Sequence, residues 1–407
     1  MNVVFIEPSF PANQRQFVRG LRQAGATVIG VGERPVQTLD DELAEWLDHY
    51  EEVASVVDVE PLVEAVQRIQ SVVTVDRLEA TVEAHVEPAA LVREYLGIAG
   101  TSAETAFLCR DKPAMKDALR RADIATAASA GVDTAEELRD FAAGLGFPLI
   151  IKPRAGAGAS GTVRVDDDHG LEGAITGIDF DGGATVAVEE FVEGHEGFWD
   201  TIAIGGEVAH EFVSHYFPNV LEAMRTRWIS PQFITTNEVE TAPGYREVMA
   251  LGRRVLPVLG IETSATHMEW FFGPKGLRFS EIGCRPPGVG AWDLYAAANE
   301  FDIYRDWAMA VCWGRVDQHL SRRYAAGIIA LRPDRDGTIV GYGGLEVIQR
   351  EMAEWIIDYH VPPTGTPTQP VEAGYMANAW IRLRHPEFET LRSLLDRIGE
   401  VVQVRAG

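Results

Sequence analysis

The chain opens on an apolar run, Val3-Val4-Phe5-Ile6, then a stretch from Ala12 to Ala24 with apolar positions at helical spacing, then a second apolar run from Thr27 to Val31. This change of period predicts a βαβ opening. Its turn, Glu7-Pro8-Ser9-Phe10-Pro11, lacks the G-x-G-x-x-G order of a dinucleotide site. Further helices are predicted over 61–70, 87–96, 111–121, within 131–144 behind the start Asp133-Thr134-Ala135-Glu136, over 245–259 and over 387–398. Strands are predicted over 76–82, 147–153, 162–165, 187–192, 199–204, 326–331, 337–340 and 401–404. The aromatic-rich stretch 216–237 reads either as a lid over a substrate or as a long connection with a surface helix. No internal repeat or low-complexity segment interrupts the pattern. In an open parallel sheet ligands sit at strand carboxyl ends, which brings Glu7, Ser9 and Glu83 into view, though each also reads as a structural or solvated residue.

Two carboxylates break the apolar pattern. Glu269 lies in His267-Met268-Glu269-Trp270-Phe271-Phe272, Glu281 ends Leu277-Arg278-Phe279-Ser280, and Gly273-Pro274-Lys275-Gly276 between them is a turn signal. A hairpin follows, with both carboxylates on neighbouring antiparallel strands where an unpaired charge is costly. A hard divalent cation on nucleotide phosphates is one way to stabilise them. The blander alternative is a pair of strand carboxylates facing solvent, with Arg285 as a local partner. His267 shares a strand face with Glu269, either facing a metal or paired within the core.

Two other segments add chemistry. The run Phe147-Pro148-Leu149-Ile150-Ile151-Lys152-Pro153 ends on a lysine and leads into Arg154-Ala155-Gly156-Ala157-Gly158-Ala159-Ser160-Gly161. Such a loop lets backbone N–H groups approach phosphate oxygens, but it joins strand to strand and is not a P-loop. A lysine in an apolar strand calls for an anionic partner. The segment Ala187-Val188-Glu189-Glu190-Phe191-Val192-Glu193-Gly194-His195-Glu196 is an apolar strand stopping at an acidic bend. It suits a hinge that offers backbone groups to a base edge and a carboxylate to ribose hydroxyls, or an ordinary strand-end turn.

Taken in order, Asp111-Lys112, Lys152-Pro153 with its glycine loop, Glu189 to Glu196, Glu269, and Glu281 to Arg285 resemble the ATP-grasp superfamily, in particular L-amino acid ligases and the biotin carboxylase and carbamoyl-phosphate synthetase group. The resemblance covers about 111–288, and the flanks are similar to the family's flanking domains. It implies an α/β (α+β) chain of three parts: a Rossmann-like pre-ATP-grasp domain over 1–105, the ATP-grasp core over 106–314 with two subdomains meeting near 190, and a small C-terminal α+β domain over 315–407. It further implies that Lys112 and Lys152 hold ATP phosphates under the loop containing Gly156, Gly158, Ser160 and Gly161. Glu189 and Val192 would meet adenine, and Glu196 the ribose. Glu269 and Glu281 would hold Mg2+, with Mn2+ open as a substitute. Arg285, His267 and Lys152 would serve catalysis, and Glu83, Arg225, Arg227 and Arg285 the substrate. Gly283 departs from the family's usual Asn, a metal ligand, two residues after the second carboxylate. The implied activity is amide formation between a carboxylate and an amine, amino acids or their relatives, through an acyl phosphate with release of ADP and phosphate. A carboxylase-type enzyme activating bicarbonate and a non-catalytic ATP-binding regulator stay open alternatives. His267, in a Thr266-His267-Met268-Glu269 context similar to the amino-acid ligases, counts against the carboxylase.

Composition narrows the partners. A net charge of -25 argues against nucleic acid and anionic membranes. Of four lysines, set against 32 arginines, two fall at phosphate positions of the resemblance, where a compact ammonium does what a guanidinium does not. Cys109, Cys284 and Cys312 form neither a disulfide framework nor a zinc spacing, and Cys284 reads as a buried structural thiol. The chain starts directly on a strand and no apolar run is long enough to span a bilayer, so a cytoplasmic protein is expected, with a homodimer as one assembly open to it.

Overall fold

The computed structural model describes residues 1–155, 161–371 and 378–407. The N-terminal part comprises β1 (Asn2–Ile6), α1 (Gln14–Gln23), β2 (Thr27–Gly32), α2 (Asp41–Trp46), β3 (His49–Glu52), α3 (Val59–Gln70), β4 (Arg77–Glu79) and α4 (Glu83–Leu96). Its strands pair in parallel in the order β3-β2-β1-β4. Val3 to Ile6 are fully buried, as a continuous apolar run in a sheet covered on both faces requires. Helix α4 begins a turn earlier than the pattern predicts and runs through Pro88, so Glu83 stands at its N-terminus.

Helices α5 (Ala103–Leu108) and α6 (Lys112–Arg121) follow. The Asp111 carboxylate caps α6 by accepting the Ala114 N–H at 2.9 Å, and Pro113 fits its first turn. The next elements are β5 (Ser129–Val132), α7 (Ala135–Leu145), β6 (Leu149–Pro153), β7 (Val163–Val165), α8 (Asp168–Thr176) and β8 (Val186–Glu190). They make a four-stranded antiparallel sheet, β5-β8-β6-β7, over a core of its own that includes Leu138, Leu149, Ile151 and Val188.

The largest sheet is antiparallel and draws on both later thirds of the chain. Its elements are β9 (His195–Ile204), β10 (Glu207–Phe217), α9 (Val220–Ala223), β11 (Gln232–Thr235), α10 (Pro243–Val258), β12 (Ser264–Gly273), β13 (Gly276–Gly283), α11 (Ala291–Asn299), α12 (Ile303–Trp313) and β14 (Ala325–Leu331). Then come β15 (Ile339–Gly343), α13 (Leu345–Met352), β16 (Ile356–His360), β17 (Ala379–His385), α14 (Phe388–Val401) and β18 (Gln403–Ala406). The sheet order is β13-β12-β9-β10-β11-β14-β17-β16, and β15 pairs separately with β18. Strands from beyond residue 315 therefore complete the sheet that carries the Glu269 hairpin. The stretch 216–237 is more than a lid or a surface connection: it ends β10, supplies α9, and places β11 fully buried inside the sheet.

Strand β9 shows why the sheet is buried on both faces. Phe198 and Ile202 enter one core with α1, α11 and α12, while Trp199 and Ala203 enter another with α6 and α10, following the period of two. All three cysteines are buried and unpaired. No helix among the described residues is long and apolar enough to cross a membrane.

Candidate functional site

The expected hairpin forms. Glu269 on β12 pairs in register with Glu281 on β13, and the ladder shifts between Glu269 and Trp270, so that Trp270 faces Phe279. This bulge leaves Ser280 as the extra residue. It turns both carboxylates to one face while Trp270 and Phe279 go into the core behind them.

The carboxylates close one end of a cavity of about 370 Å³ between the small sheet and the large one. Lys152 and Glu189 come from β6 and β8, Lys112 and Lys116 from α6, and Val220 and Arg225 from the α9 segment. Three of the chain's lysines thus converge here. Lys116 Nζ lies 2.7 Å and Lys152 Nζ 2.9 Å from Glu189 Oε2, and Lys112 and Lys152 each stand 3.6 Å from Glu281. Burial alone would raise the Glu189 carboxyl, but Lys116 and Lys152 hold it down at about 2. Burial works against Lys116, pulling its ammonium to about 8 despite Glu189. Glu281 is likewise held below the ordinary carboxylate range by Lys112 and Lys152 against the effect of burial. Glu189 Oε1 is buried without a hydrogen-bond partner among the described residues, and a buried acceptor of this kind calls for a donor.

The acidic bend sits opposite. Gly194 has φ +150°, and a Cβ there would meet the Phe272 carbonyl oxygen at 2.5 Å, so only glycine lets the bend lie against the end of β12. Asn219 ties the bend to α9, donating to the Gly194 carbonyl at 2.8 Å and accepting the Glu196 N–H at 3.0 Å. The Glu196 carboxylate accepts the Val220 N–H at 2.7 Å and is nonetheless raised to about 8, by burial first and then by Glu269 and Glu281. A raised carboxyl favours the folded state most below its unfolded value, near 4.5, and that contribution is lost as pH rises through about 8. Relative to Glu196→Gln, the nucleotide-free wild type is therefore expected to lose thermal stability from about pH 4.5 to about pH 8 and to level off above that. Parallel melting curves check this, and a constant gap across that range would assign Glu196 an ordinary carboxyl.

At the reacting end, Arg285 Nε donates to Glu83 at 2.7 Å and Nη1 to the Pro286 carbonyl at 2.9 Å. Arg110 bonds the Glu83 carbonyl at 2.8 Å. Gly283 lies beside this pair, with room for a Cβ 3.5 Å from Arg285 and 3.6 Å from Glu83. His267 Nδ1 is 2.7 Å from Asp200, and Nε2 lies 3.5 Å from Glu269. Burial would lower the imidazole, but Asp200, with Glu269, raises it to about 9.

The structure thus brings Lys112, Lys152, Glu189, Val192, Glu196, Arg225, Glu269 and Glu281 to one cavity, with His267, Glu83 and Arg285 lining a small recess behind Lys112 and Glu281. Gly161, at φ +69°, leads out of the glycine loop; Gly156, Gly158 and Ser160 lie outside the described residues. Arg227 is not brought in: its guanidinium pairs with Asp336 at 2.7 Å, away from the cavity. Arg225 donates to the Thr162 carbonyl at 3.3 Å across the cavity mouth. Glu7 is occupied in holding its own loop, accepting Ser9 Oγ at 2.6 Å and the Glu33 N–H at 3.0 Å. Sequence reasoning passes over Lys116, Asn219 and Asp200. Lys116 had a signal, one turn after Lys112 on the same helix face. No cluster of three His, Cys, Asp or Glu side chains suited to a metal forms among the described residues, so the hairpin offers a cation two carboxylates and no closed cage.

Residues 111–196 match the family described as carbamoyl-phosphate synthase L chain, ATP binding domain. The chain is 27% identical over 277 residues to an L-arginine-specific L-amino acid ligase of Bacillus subtilis, a match covering 64% of this chain and 66% of that protein. Among solved structures, an L-amino acid ligase from Bacillus licheniformis superposes with a TM-score of 0.79 at 16% identity, over 100% of this chain and 98% of the other. The biotin carboxylase domain of Hydrogenobacter thermophilus 2-oxoglutarate carboxylase, solved with MgADP and bicarbonate, gives a TM-score of 0.66 at 17% identity, over 99% and 90%.

Proposed function

We propose that this chain, an ATP-grasp protein by fold and by its ATP-binding domain, is an ATP-dependent carboxylate–amine ligase that joins an amino acid or related carboxylate to an amine through an acyl phosphate, releasing ADP and phosphate. The observation that carries the reading is the convergence of Lys112, Lys116 and Lys152 with the facing pair Glu269 and Glu281 in one cavity. The L-arginine-specific L-amino acid ligase relative supports an amino acid as the carboxylate.

Each residue then has a task. The free Glu189 Oε1 accepts the adenine amino group, with Val192 beside it and Glu196 placed for the ribose. Lys112 and Lys152 exchange their contacts with Glu281 for phosphate oxygens. Glu269 and Glu281, two hard oxygen donors, fit Mg2+ or Mn2+, which takes most of its remaining ligands from phosphates and water. Bound there, such a cation would supply neutralising charge to the transferred phosphoryl group. Arg285, fixed by Glu83 through Nε, keeps Nη2 without a hydrogen bond among the described residues and turns it to the substrate carboxylate. His267 presents Nε2 beside Glu269. Positioning and charge stabilisation supply the rate.

The MgADP and bicarbonate complex of the biotin carboxylase relative supports a second reading, in which bicarbonate is the acceptor. One assay separates them: Mg2+-dependent ADP and phosphate release with ATP alone, with bicarbonate, and with pooled amino acids and dipeptides, followed by product mass. Release stimulated by amino acids with a new amide mass is expected. Stimulation by bicarbonate alone would overturn the ligase reading in favour of the carboxylase. Nucleotide binding without release under every condition would leave a regulator with Gly283 at its weakened metal site.

A further inference from the structure

Asp200 is a carboxylate in the middle of β9, a strand buried on both faces, and it is 1% exposed. A charge there costs several kcal/mol unless it is fully bonded. Both its oxygens are bonded. Oδ1 takes His267 Nδ1 at 2.7 Å, and Oδ2 accepts the Tyr295 hydroxyl. The contact to His267 is set by the backbone, since the β9–β12 ladder puts His267 directly opposite Asp200. Tyr295 is itself fixed, its ring stacked on Phe212 at 4.2 Å and 2°, with Ser214 Oγ 3.4 Å from its hydroxyl. Phe198 meets the His267 ring edge-on at 5.1 Å.

A purely structural role would be served as well by apolar side chains of the same volume, because buried ionic groups seldom add net stability. The polar set has one open end. With Nδ1 committed to Asp200, the atom that emerges is Nε2, and it emerges 3.5 Å from Glu269 into the recess shared by Glu281 and Arg285. We propose that Asp200, backed by Tyr295, is a positioning residue that locks the His267 ring so that Nε2 addresses the reacting groups. The inference deepens the ligase reading and rests on it for its kinetic arm alone.

The test has two arms. In the first, ring-15N-labelled histidine in the full-length protein reports the His267 Nδ1–H by NMR, assigned by its disappearance in His267→Gln. That resonance is expected to be protected in wild type and lost in Asp200→Ala. An unchanged resonance overturns the lock whether or not the protein is a ligase. In the second, kcat for phosphate release is expected to fall about 10²-fold in Asp200→Ala, with KM for ATP unchanged. Tyr295→Phe should lose less, in the same parameter. The double variant Asp200→Ala/His267→Gln is expected to be no slower than His267→Gln alone. A full multiplicative loss in the double variant would mean that Asp200 acts on the fold and not through His267. Asp200→Asn, which keeps the volume and an acceptor for Nδ1–H, is expected to regain part of kcat. If Asp200→Ala fails to fold, Asp200→Leu, which fills the volume but offers Nδ1–H no acceptor, carries the first arm, while Asp200→Asn and Tyr295→Phe carry the second, where wild-type kcat in both overturns the proposal. A wild type silent with every acceptor but showing the protected resonance would support the lock while overturning the ligase reading.

Discussion

Glu281→Gln is expected to cut Mg2+-dependent turnover by about 10²–10³-fold while leaving the fold intact. The substitution keeps the size of the side chain, so the packing of Phe279 and Ile282 beneath it is undisturbed. What it removes is one of the two carboxylates that face each other across the hairpin, and with it the anion that Lys112 and Lys152 both approach at 3.6 Å. Metal-dependent chemistry and metal-free nucleotide binding should therefore part company. Turnover should collapse, whereas ADP affinity measured calorimetrically without metal should hold or rise, because two ammoniums lose a competitor for the phosphates. Undiminished turnover would remove Glu281 from the metal role, and a parallel loss of both quantities would place it in nucleotide binding.

Glu189→Ala is expected to cost about 3–5 kcal/mol of stability. Lys116 and Lys152 both hold Glu189 Oε2 below 3 Å, and Lys116 is 1% exposed, so truncation strands the buried Lys116 ammonium and leaves Lys152 with Glu281 at 3.6 Å. The loss should appear as a lower urea midpoint at unchanged slope. Replacing the pair together, Lys116→Met with Glu189→Leu, should return a good part of it, since apolar groups of similar volume need no partner. A single variant within about 1 kcal/mol of wild type would show that water reaches this end of the cavity.

How far the sequence alone reads depends on how each residue is buried. The Glu269–Glu281 hairpin is legible because a four-residue turn separates two apolar runs, each broken by one acid. Its bulge is not: alternation places Phe279 and Glu281 on one face, and only the extra residue Ser280 sends them to opposite sides. Helices α11 and α12 are illegible for the reverse reason. Trp292, Leu294, Tyr295, Ile303, Trp307 and Val311 are buried on nearly every side, so no polar stripe marks the period. Asp200 is hidden because its partner stands 67 residues away, and a lone acid in an alternating strand looks like its solvated face. Arg227 looked eligible through proximity to Arg225 in the chain, but the two guanidiniums diverge, one to Thr162 and one to Asp336.

The separate core of the small sheet has a mechanical consequence. Leu138, Leu149, Ile151, Val165 and Val188 pack among themselves, while β9, anchored by Phe198 on one side and Trp199 on the other, belongs to two larger cores at once. The cavity therefore has a rigid anvil, carrying Glu196, Glu269 and Glu281, and a self-contained jaw, carrying Lys152 and Glu189. The jaw can shift as a body without opening either core, because the side-chain contacts that tie it to the anvil across the cavity are polar: the buried Lys116–Glu189 pair, the Lys152–Glu281 contact, the pair between Lys275 and Glu190, and the Arg225–Thr162 bond at the mouth. The exposed contacts among these re-form at little cost in water, whereas the buried Lys116–Glu189 pair resists separation, so it sets how far the gap opens.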